Sequence, residues 1–468
     1  MSYDMIVVGS GIGGYVAAIR ASQLGYKIAI VERESLGGIC LNWGCIPTKA
    51  LLKSSSVFES FKHAADYGFV AGDFKVDFEA VIKRSRAAAD RMNKGVQFLM
   101  KKNKIDVIMG AGKLNGKKEV EVTEPDGKVT TLQARHVILA TGARSKQLPN
   151  LQIDGKKIIG YREAMSLPSQ PKSMIVVGSG AIGVEFAYFY NSLGTNVTLV
   201  ESLPRIVPSE DEDISKELEK NFKKAGITVM TNSSVEKVET SESGVKVNVK
   251  TQNGDQQLDA EIVLSAVGII ANTENIGLEE LGIKTDKGKV LVDKFYQSSV
   301  SGIYAIGDIT PGQALAHVAY QCGVICAEAI ANGEGRYKKM PEPLNYGNVP
   351  ACTYCSPEIA SVGMTEKQAR DAGYEIKVGK FPFIASGKAV GVGATEGFTK
   401  VIIDTKYGEL LGTHMIGYNV TENLAESVVA RNLETTWEEM LGSIHPHPTM
   451  SESIKGAIEA AQGHAIDL

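Results

Sequence analysis

Cysteine is scarce in this sequence, which has six among 468 residues. Small secreted domains that depend on disulfides have a much higher cysteine content. The composition therefore excludes a structural disulfide framework. The expected compartment is therefore a reducing cytoplasm, where any disulfide that forms is expected to be catalytic rather than structural.

Long apolar runs and blocks of like charge are also missing. No run of eighteen apolar residues occurs, so we expect no transmembrane helix. The first residues lead into a strand pattern without the basic segment of a signal peptide. The 50 basic and 54 acidic side chains are mixed along the chain, with a net charge of −4. We expect neither a membrane nor a nucleic-acid partner.

The remaining composition is that of a globular protein, with 43% apolar and 22% charged residues. A chain of 468 residues is too long for one ordinary hydrophobic core. We therefore expect about three domains.

A glycine-rich turn follows the first strand pattern. The apolar run 5–8 is followed by Gly9, Gly11 and Gly14, and then by a helix pattern. Gly9 permits the tight turn, Gly11 lets the backbone approach a pyrophosphate, and Gly14 lets helix and strand pack closely. A second apolar strand ends at Glu32, whose carboxylate can accept hydrogen bonds from the ribose hydroxyls of a dinucleotide.

The same unit occurs a second time. A shift of 169 residues aligns segment 5–11 with segment 174–180, identical at all seven positions, and aligns Glu32 with Glu201. The matching glycines of the second unit are Gly178, Gly180 and Gly183. Chance similarity could produce the glycines but hardly the acid at the same spacing. The sequence therefore predicts two dinucleotide sites on one chain.

Two of the cysteines are close together in sequence. Cys40 and Cys45 lie in a stretch that continues through Pro47 to Lys49. Proline suits the start of a helix, because the N–H group that it lacks would have no partner there. We therefore place Cys45 just before a helix N-terminus, which favours a thiolate. The alternative is two unrelated buried cysteines, but the spacing favours a redox pair.

The rest of the chain divides by pattern. Segment 54–104 has a helical pattern, and an alternating pattern around 119–131 predicts a pair of strands. From about Asn345 the nucleotide pattern stops, and we expect a separate α+β domain. That domain ends in a loop with alternating prolines that carries His445 and His447 shortly before Glu452. Such a loop can hold an imidazole beside a carboxylate, although alone it is more typical of plain surface.

Together these motifs resemble those of the flavin-dependent pyridine nucleotide–disulfide oxidoreductases, over nearly the whole chain. The resemblance implies an α/β fold with two doubly wound dinucleotide-binding domains, for FAD and NAD, a central region and an α+β C-terminal dimerisation domain. The implied domains are 1–147 (FAD-binding), 148–273 (NAD-binding), 274–342 (central, completing the FAD site) and 343–468 (interface).

The resemblance also implies roles for individual residues. The catalytic set would be Cys40, Cys45, His447, Glu452, Lys49 and Glu185. The FAD site would contain Gly9, Gly11, Gly14, Glu32, Lys49, Gly112, Thr141, Gly142, Ala143, Asp308, Ala314, Leu315, Ala316 and His317. The NAD site would contain Gly178, Gly180, Gly183, Glu185, Glu201, Val235 and Gly268. No metal site is expected.

The implied reaction is oxidation of a protein-bound dihydrolipoyl group with reduction of NAD⁺. Cys40 would exchange with the substrate dithiol, Cys45 would face the flavin, and His447, held by Glu452, would be the acid–base of the other subunit of a homodimer. The implied partners are the lipoyl domains of an acyltransferase or the lipoyl protein of glycine cleavage.

Some features depart from the family pattern, and other activities stay open. Segment 269–273 lacks the basic residues and proline that often follow Gly268 in the family. Cys352 and Cys355 have metal-like spacing but no second pair, so, with Cys322 and Cys326, we interpret them as core or surface thiols. A glutathione-type reductase usually has arginines for an NADP phosphate where this chain has Glu201 and Ser202. A mercuric reductase has a C-terminal cysteine pair where this sequence reads His-Ala-Ile-Asp-Leu. A flavin-bearing structural subunit is the alternative outside enzymes.

Overall fold

The structure is a computed structural model that describes residues 2–70 and 72–468. Within these ranges, none of the helices combines the length and apolar character needed to span a membrane. The chain divides into two compact units, each assembled from separate stretches of sequence. The first unit contains Met1–Ala50, Ala80–Lys146 and Ile269–Tyr346, and the second contains Leu51–Glu79, Gln147–Gly268 and Gly347–Leu468.

The strands, in chain order, are β1 Ser2–Val8, β2 Ile28–Glu32, β3 Asp106–Met109, β4 Ala111–Leu114, β5 Val120–Thr123, β6 Val129–Leu139, β7 Ala143–Ser145, β8 Ile158–Ile159, β9 Ser173–Val177, β10 Asn196–Val200, β11 Thr228–Met230, β12 Ser234–Ser241, β13 Gly244–Thr251, β14 Gly254–Ala260, β15 Ile262–Ser265, β16 Ile269–Ala271, β17 Thr285–Asp286, β18 Lys289–Val290, β19 Ile303–Ala305, β20 Ala351–Thr353, β21 Glu358–Gly363, β22 Ile376–Pro382, β23 Phe398–Asp404 and β24 Leu410–Gly417.

The α-helices, in chain order, are α1 Ile12–Gln23, α2 Gly38–Trp43, α3 Cys45–Lys62, α4 Phe78–Lys102, α5 Tyr161–Ala164, α6 Ala181–Ser192, α7 Glu212–Lys224, α8 Ala316–Gly333, α9 Glu366–Asp371, α10 Gly387–Gly391, α11 Val420–Asn432, α12 Trp437–Gly442 and α13 Glu452–Gln462.

The first unit is built on a seven-stranded sheet in the order β3-β2-β1-β6-β5-β4, with β19 also paired to β6. The parallel pairings are β3 with β2, β2 with β1, β1 with β6 and β6 with β19. Strand β5 pairs antiparallel with both β6 and β4. The predicted strand 5–8 is fully inside, since Met5, Ile6 and Val7 have no exposed surface. Burial on both faces explains its unbroken apolar run.

The second unit contains a parallel sheet in the order β11-β10-β9-β15-β8 and a three-stranded antiparallel sheet, β12-β13-β14. A five-stranded antiparallel sheet, β20-β21-β24-β23-β22, is formed entirely by the C-terminal region. Helix α13 packs on β22 and β23, and α11 packs on β21 and β24. The fold class predicted from the sequence is confirmed, whereas the domain boundaries stay predictions.

The helix after the cysteine pair differs slightly from the prediction. Helix α3 begins at Cys45 itself, so Pro47 is its third residue. A proline is tolerated there because the N–H groups of the first turn have no acceptor inside the helix. Cys40 also lies in a helix, the short α2, which the sequence patterns did not predict.

Candidate functional site

The first glycine-rich turn is packed too tightly for any side chain at two of its glycines. Gly9 has a φ of +100° and connects β1 to α1, and a Cβ on Gly14 would lie 1.9 Å from the Gly9 carbonyl oxygen. A Cβ on Gly11, in contrast, would meet nothing within 4 Å. Gly11 therefore leaves open space before the N-terminus of α1, as a dinucleotide pyrophosphate requires.

The second glycine-rich turn, between β9 and α6, repeats this geometry. Gly178 has a φ of +98°, and a Cβ on Gly183 would lie 1.9 Å from the Gly178 carbonyl oxygen. Gly180 again faces open space, with nothing within 4 Å of an added Cβ. The two turns therefore share one construction at the ends of β1 and β9, so each has the cradle that a dinucleotide needs.

The acidic residue after each glycine-rich turn accepts hydrogen bonds at both of its carboxylate oxygens. Oε2 of Glu32 accepts from the backbone N–H of Ser10 at 2.9 Å and from its hydroxyl at 2.6 Å. Its Oε1 accepts from the backbone N–H of Glu34 at 2.8 Å. Both oxygens of this buried side chain therefore have hydrogen-bond donors, as a buried polar group requires.

Glu201 is held in the same way. It accepts from the Ser179 N–H and hydroxyl at 2.9 and 2.6 Å, and from the Leu203 N–H at 2.8 Å. The serine is a partner that the sequence analysis missed. The repeated segment could have indicated this serine, because Ser10 and Ser179 align under the same shift of 169 residues.

The two cysteines are brought into contact. Both are thiols in this structure and both are half-buried. The pKa of the Cys40 thiol lies far above its ordinary value, first because it shares a hydrogen bond with Cys45 and then because burial disfavours the thiolate. The positive charge of Lys49 opposes this rise. Two thiols in contact beside a cation can form a reversible disulfide.

The segment that carries Cys40 is fixed against the first nucleotide turn. The Gly37 N–H donates to the Ser10 carbonyl at 3.0 Å, and a Cβ on Gly38 would lie only 2.6 Å from the Cα atom of Gly11. Nδ2 of Asn42 donates to the carbonyls of Leu36 and Gly38 at 2.9 and 2.8 Å. The segment that leads into the cysteine pair is therefore packed against the first glycine-rich turn.

Other residues predicted for FAD lie in the same unit. The Thr141 hydroxyl donates to the Asn272 carbonyl at 2.6 Å, and Asn272 Nδ2 donates back to the Thr141 carbonyl at 3.0 Å. Asn272 belongs to the segment that departs from the family pattern, and here it fixes the turn that follows β6. Burial raises the pKa of Asp308, which lies in a short 3₁₀ turn after β19.

The remaining predicted FAD residues lie on two elements of that unit. Gly112 lies in β4, where an added Cβ would meet Val8 Cγ1 at 2.9 Å. Ala314 and Leu315 lead into helix α8, which begins with Ala316 and His317.

The predicted NAD residues lie in the second unit. Glu185 is nearly buried in helix α6, and its Oε1 accepts from the backbone N–H of Tyr354 at 3.0 Å. Tyr354 is a second partner that sequence reasoning missed, because it is 169 positions from Glu185. Val235 lies in β12, and Gly268, with a φ of +110°, follows β15.

The C-terminal histidine loop holds an imidazole and a carboxylate together. Nδ1 of His447 lies 2.9 Å from Oε1 of Glu452, and the other carboxylate oxygen accepts from the Thr449 N–H at 2.7 Å. The His447 side chain is 76% exposed. Burial would raise the pKa of Glu452, but the hydrogen bonds from Thr449 and His447 outweigh burial and lower it. This pair can exchange a proton with a partner outside the chain.

The other four cysteines are placed in two pairs. Cys322 and Cys326 are buried in helix α8, and burial raises the pKa of both thiols. Cys355 is buried and donates to the Pro357 carbonyl at 3.3 Å, while Cys352 is half-buried in β20. Across residues 2–70 and 72–468, no three or more histidine, cysteine, aspartate or glutamate side chains form a group suited to a metal ion.

Comparison with known proteins gives two family matches. Residues 3–323 match the pyridine nucleotide-disulphide oxidoreductase family, and residues 349–458 match the pyridine nucleotide-disulphide oxidoreductase dimerisation domain. Together the matches span both dinucleotide cradles, the cysteine pair and the histidine loop. The chain belongs to the pyridine nucleotide-disulphide oxidoreductase family.

Individual relatives are similar over their whole length. A dihydrolipoyl dehydrogenase of Rhizobium etli is 50% identical over 484 aligned positions, covering 100% of this chain and 99% of the relative. One from Zymomonas mobilis is 47% identical and covers 99% of both chains. The crystal structure of LpdA from Mycobacterium tuberculosis superposes with a TM-score of 0.89 at 27% identity, over 98% of this chain and 99% of that one.

A second solved structure, the Cu(II) complex of the flavoprotein disulfide reductase RclA from Escherichia coli, has a TM-score of 0.86 at 25% identity, over 98% of this chain and 99% of that one. The chain is an oxidoreductase, and FAD and NAD are its cofactors. The matched dimerisation domain indicates a homodimer.

Proposed function

We propose that this protein is a dihydrolipoyl dehydrogenase, which oxidises dihydrolipoyl groups on carrier proteins to the cyclic disulfide and reduces NAD⁺. The observation that carries the proposal is the contact between Cys40 and Cys45 beside the first dinucleotide cradle. The name of the relatives at 47% and 50% identity supports the choice of substrate.

The first half of the reaction is thiol–disulfide exchange. His447 accepts a proton from the substrate dithiol, and Glu452 orients the imidazole through Nδ1. The resulting thiolate attacks Cys40 of the oxidised pair and displaces Cys45 as a thiolate. The second substrate thiol then attacks the substrate sulfur of the mixed disulfide and gives its proton to the departing Cys40 sulfur. The substrate leaves as a cyclic disulfide, and the protein keeps both electrons as the Cys40 thiol and the Cys45 thiolate.

Each cofactor is assigned to one cradle. The residues Gly9, Gly11, Gly14, Glu32, Lys49, Gly112, Thr141, Gly142, Ala143, Asp308 and Ala314 to His317 would hold FAD, and Gly178, Gly180, Gly183, Glu185, Glu201, Val235 and Gly268 would hold NAD. When bound, FAD supplies two-electron transfer between the cysteine pair and NAD⁺. The open space at Gly11 and Gly180 and the matched acids Glu32 and Glu201 fit two dinucleotides.

The active site is proposed to be shared between two chains. The support is that His447 belongs to the matched dimerisation domain and is 76% exposed in a single chain. A histidine that serves the second chain would give a symmetric dimer with two composite sites. The natural partners would be lipoyl domains of an acyltransferase or the lipoyl protein of glycine cleavage. The compartment would be a reducing cytoplasm, where a disulfide is catalytic rather than structural.

Subunit mixing tests both the activity and the shared site. The Cys45→Ser and His447→Gln homodimers should each be almost inactive in dihydrolipoamide oxidation by NAD⁺. Their heterodimer contains one site with both native groups, so it should recover about half of the wild-type activity. If the histidine serves its own chain, no site is complete and mixing restores nothing. A wild-type enzyme that reduces glutathione disulfide but does not oxidise dihydrolipoamide would overturn the proposed function itself.

A further inference from the structure

The histidine loop carries a second histidine–carboxylate pair beside the one already described. Nε2 of His445 lies 2.7 Å from Oε1 of Glu426, which belongs to helix α11. The His445 side chain is only 7% exposed, whereas Glu426 is 33% exposed. The first histidine of the loop is therefore fixed inside the fold, and the second, His447, projects outward.

The two pairs occupy one short segment. His445 and His447 lie in the loop that connects α12 to α13, and Glu452 is the first residue of α13. Glu426 comes from α11, which is separated from the loop by α12. The contact between His445 and Glu426 therefore holds the loop against a helix that lies earlier in the chain.

We infer that His445 and Glu426 form a positioning pair, which fixes the histidine loop on helix α11 and so holds His447 and Glu452 in the arrangement needed for proton transfer. This inference rests on the proposed function, because it takes His447 as the acid–base. Neither His445 nor Glu426 is assigned contact with substrate. Their effect is transmitted through the placement and the electrostatic surroundings of His447 and Glu452.

The charges around His445 are consistent with this role. The hydrogen bond to Glu426 raises the pKa of His445, burial opposes the rise, and Lys455 on α13 also opposes it. Protonated His445 in turn helps to lower the pKa of Glu452, although less than the Thr449 and His447 hydrogen bonds do. The charged groups that face His445 are thus Glu426, Lys455 and Glu452.

The test compares two reactions of the purified holoenzyme that differ in their need for the histidine loop. Oxidation of dihydrolipoamide needs proton transfer at the cysteine pair, whereas reduction of ferricyanide by NADH takes electrons from the flavin, with two ferricyanide ions consumed for each NADH. His445→Ala and Glu426→Ala should each lower kcat/KM for dihydrolipoamide about tenfold, because small misplacements of a catalytic group have large effects. The ferricyanide rate should stay within about twofold of wild type, since general acid–base catalysis contributes nothing there.

Three further measurements sharpen the test. The double variant should be no worse than either single variant, because each change breaks the same contact. Glu426→Gln should recover most of the loss, since its amide oxygen can still accept from His445. The acid limb of the kcat/KM profile should move to higher pH in His445→Ala, because a positive charge near Glu452 and His447 is removed.

A matched control comes from the first unit. His136 also pairs with a glutamate, its Nε2 lying 2.9 Å from Oε1 of Glu334, so His136→Ala should leave both reactions unchanged. If His445→Ala lowers both reactions in proportion, the pair is merely structural and the inference is wrong. If His447→Gln is inactive while the His445 and Glu426 variants match wild type, the inference alone fails. If His447→Gln oxidises dihydrolipoamide normally, the proposed function fails instead.

Discussion

Nζ of Lys400 lies 2.8 Å from Oδ1 of Asp211, and only 2% and 3% of the two side chains are exposed. Two further carboxylates, of Asp213 and Glu366, lie 2.7 and 2.8 Å from the same ammonium. Lys400 lies in β23 of the C-terminal sheet, and Asp211 caps helix α7 by accepting from the Asp213 N–H. The buried ion cluster therefore joins the helix that precedes β11 to the dimerisation domain within one unit.

The first prediction is that Lys400→Met strongly destabilises the protein. Its removal leaves Asp211 buried without a counter-ion, which costs about 3–5 kcal/mol in comparable buried pairs. Lys380→Met is the matched control, because Lys380 also pairs with Asp213, at 2.7 Å, but is 44% exposed. That control should cost at most about 1 kcal/mol. Urea unfolding measures both changes, and equal losses would contradict the role given to burial.

The second prediction concerns pH. Burial alone would raise the pKa of Asp211, but the hydrogen bond and charge of Lys400 outweigh burial and lower it. The pKa of Glu366 is lowered first of all by its hydrogen bond with Lys400. Because these folded-state pKa values lie below those of the unfolded chain, the stability they contribute is present above roughly pH 4 and is lost as pH falls through the folded values.

In Lys400→Met that lowering is removed and burial raises the pKa of Asp211 instead, so the loss of stability at acid pH should be smaller than in wild type. The free energies of unfolding of the two proteins should therefore converge as pH falls. The measurement is the free energy of unfolding in urea across roughly pH 3 to 6. Curves for the two proteins that run parallel over this range would show that Lys400 does not set the carboxylate pKa values.

The sequence predicted those parts of the site whose chemistry is local. The turn at Gly9, the strand that delivers Glu32 and the spacing of Cys40 and Cys45 are all set by residues within a few positions of one another. Their interpretation needed only the steric demands of glycine and the fixed offset between strand and acid. The repeated segment with Gly178 and Glu201 made the same prediction a second time.

The residues that the sequence did not reveal act through partners far along the chain. Asp211 is 189 positions from Lys400, and Glu185 is 169 positions from Tyr354. Burial of a lysine has no local signal, because lysine is normally a surface residue. The helix α2 was missed because a six-residue segment is too short to show a helical period.

The third prediction is that NADH is preferred to NADPH by at least about tenfold in specificity constant. Glu201 is already held by Ser179 and Leu203, so its carboxylate cannot easily turn away from an added 2′-phosphate. Two like charges about 4 Å apart repel by around 1 kcal/mol in water and by more at lower dielectric. Steady-state rates with both cofactors measure the preference, and Glu201→Gln should narrow it. Equal rates in wild type would refute the role of Glu201.

The last prediction is that alanine at Gly180 and alanine at Gly183 have different effects on the second glycine-rich turn. A Cβ on Gly180 would meet nothing within 4 Å, so Gly180→Ala should fold with an unchanged Tm. The new methyl group would nevertheless occupy the space into which a pyrophosphate must come, and NADH should bind at least about tenfold more weakly, a loss of roughly 1.4 kcal/mol. Gly183→Ala differs, since its Cβ would lie 1.9 Å from the Gly178 carbonyl oxygen, and overpacking should cost about 1–3 kcal/mol of stability as well.

The first cradle supplies the control for this comparison. Gly11→Ala should lower the flavin content of the purified protein, whereas Gly180→Ala should keep one flavin in each chain, because the two open glycines serve different dinucleotides. For the three variants, absorbance measures the flavin content, titration measures the affinity for NADH, and thermal unfolding measures Tm. A Gly180→Ala protein that binds NADH as tightly as wild type, or that loses its flavin instead, would show that the second cradle does not hold the nicotinamide dinucleotide.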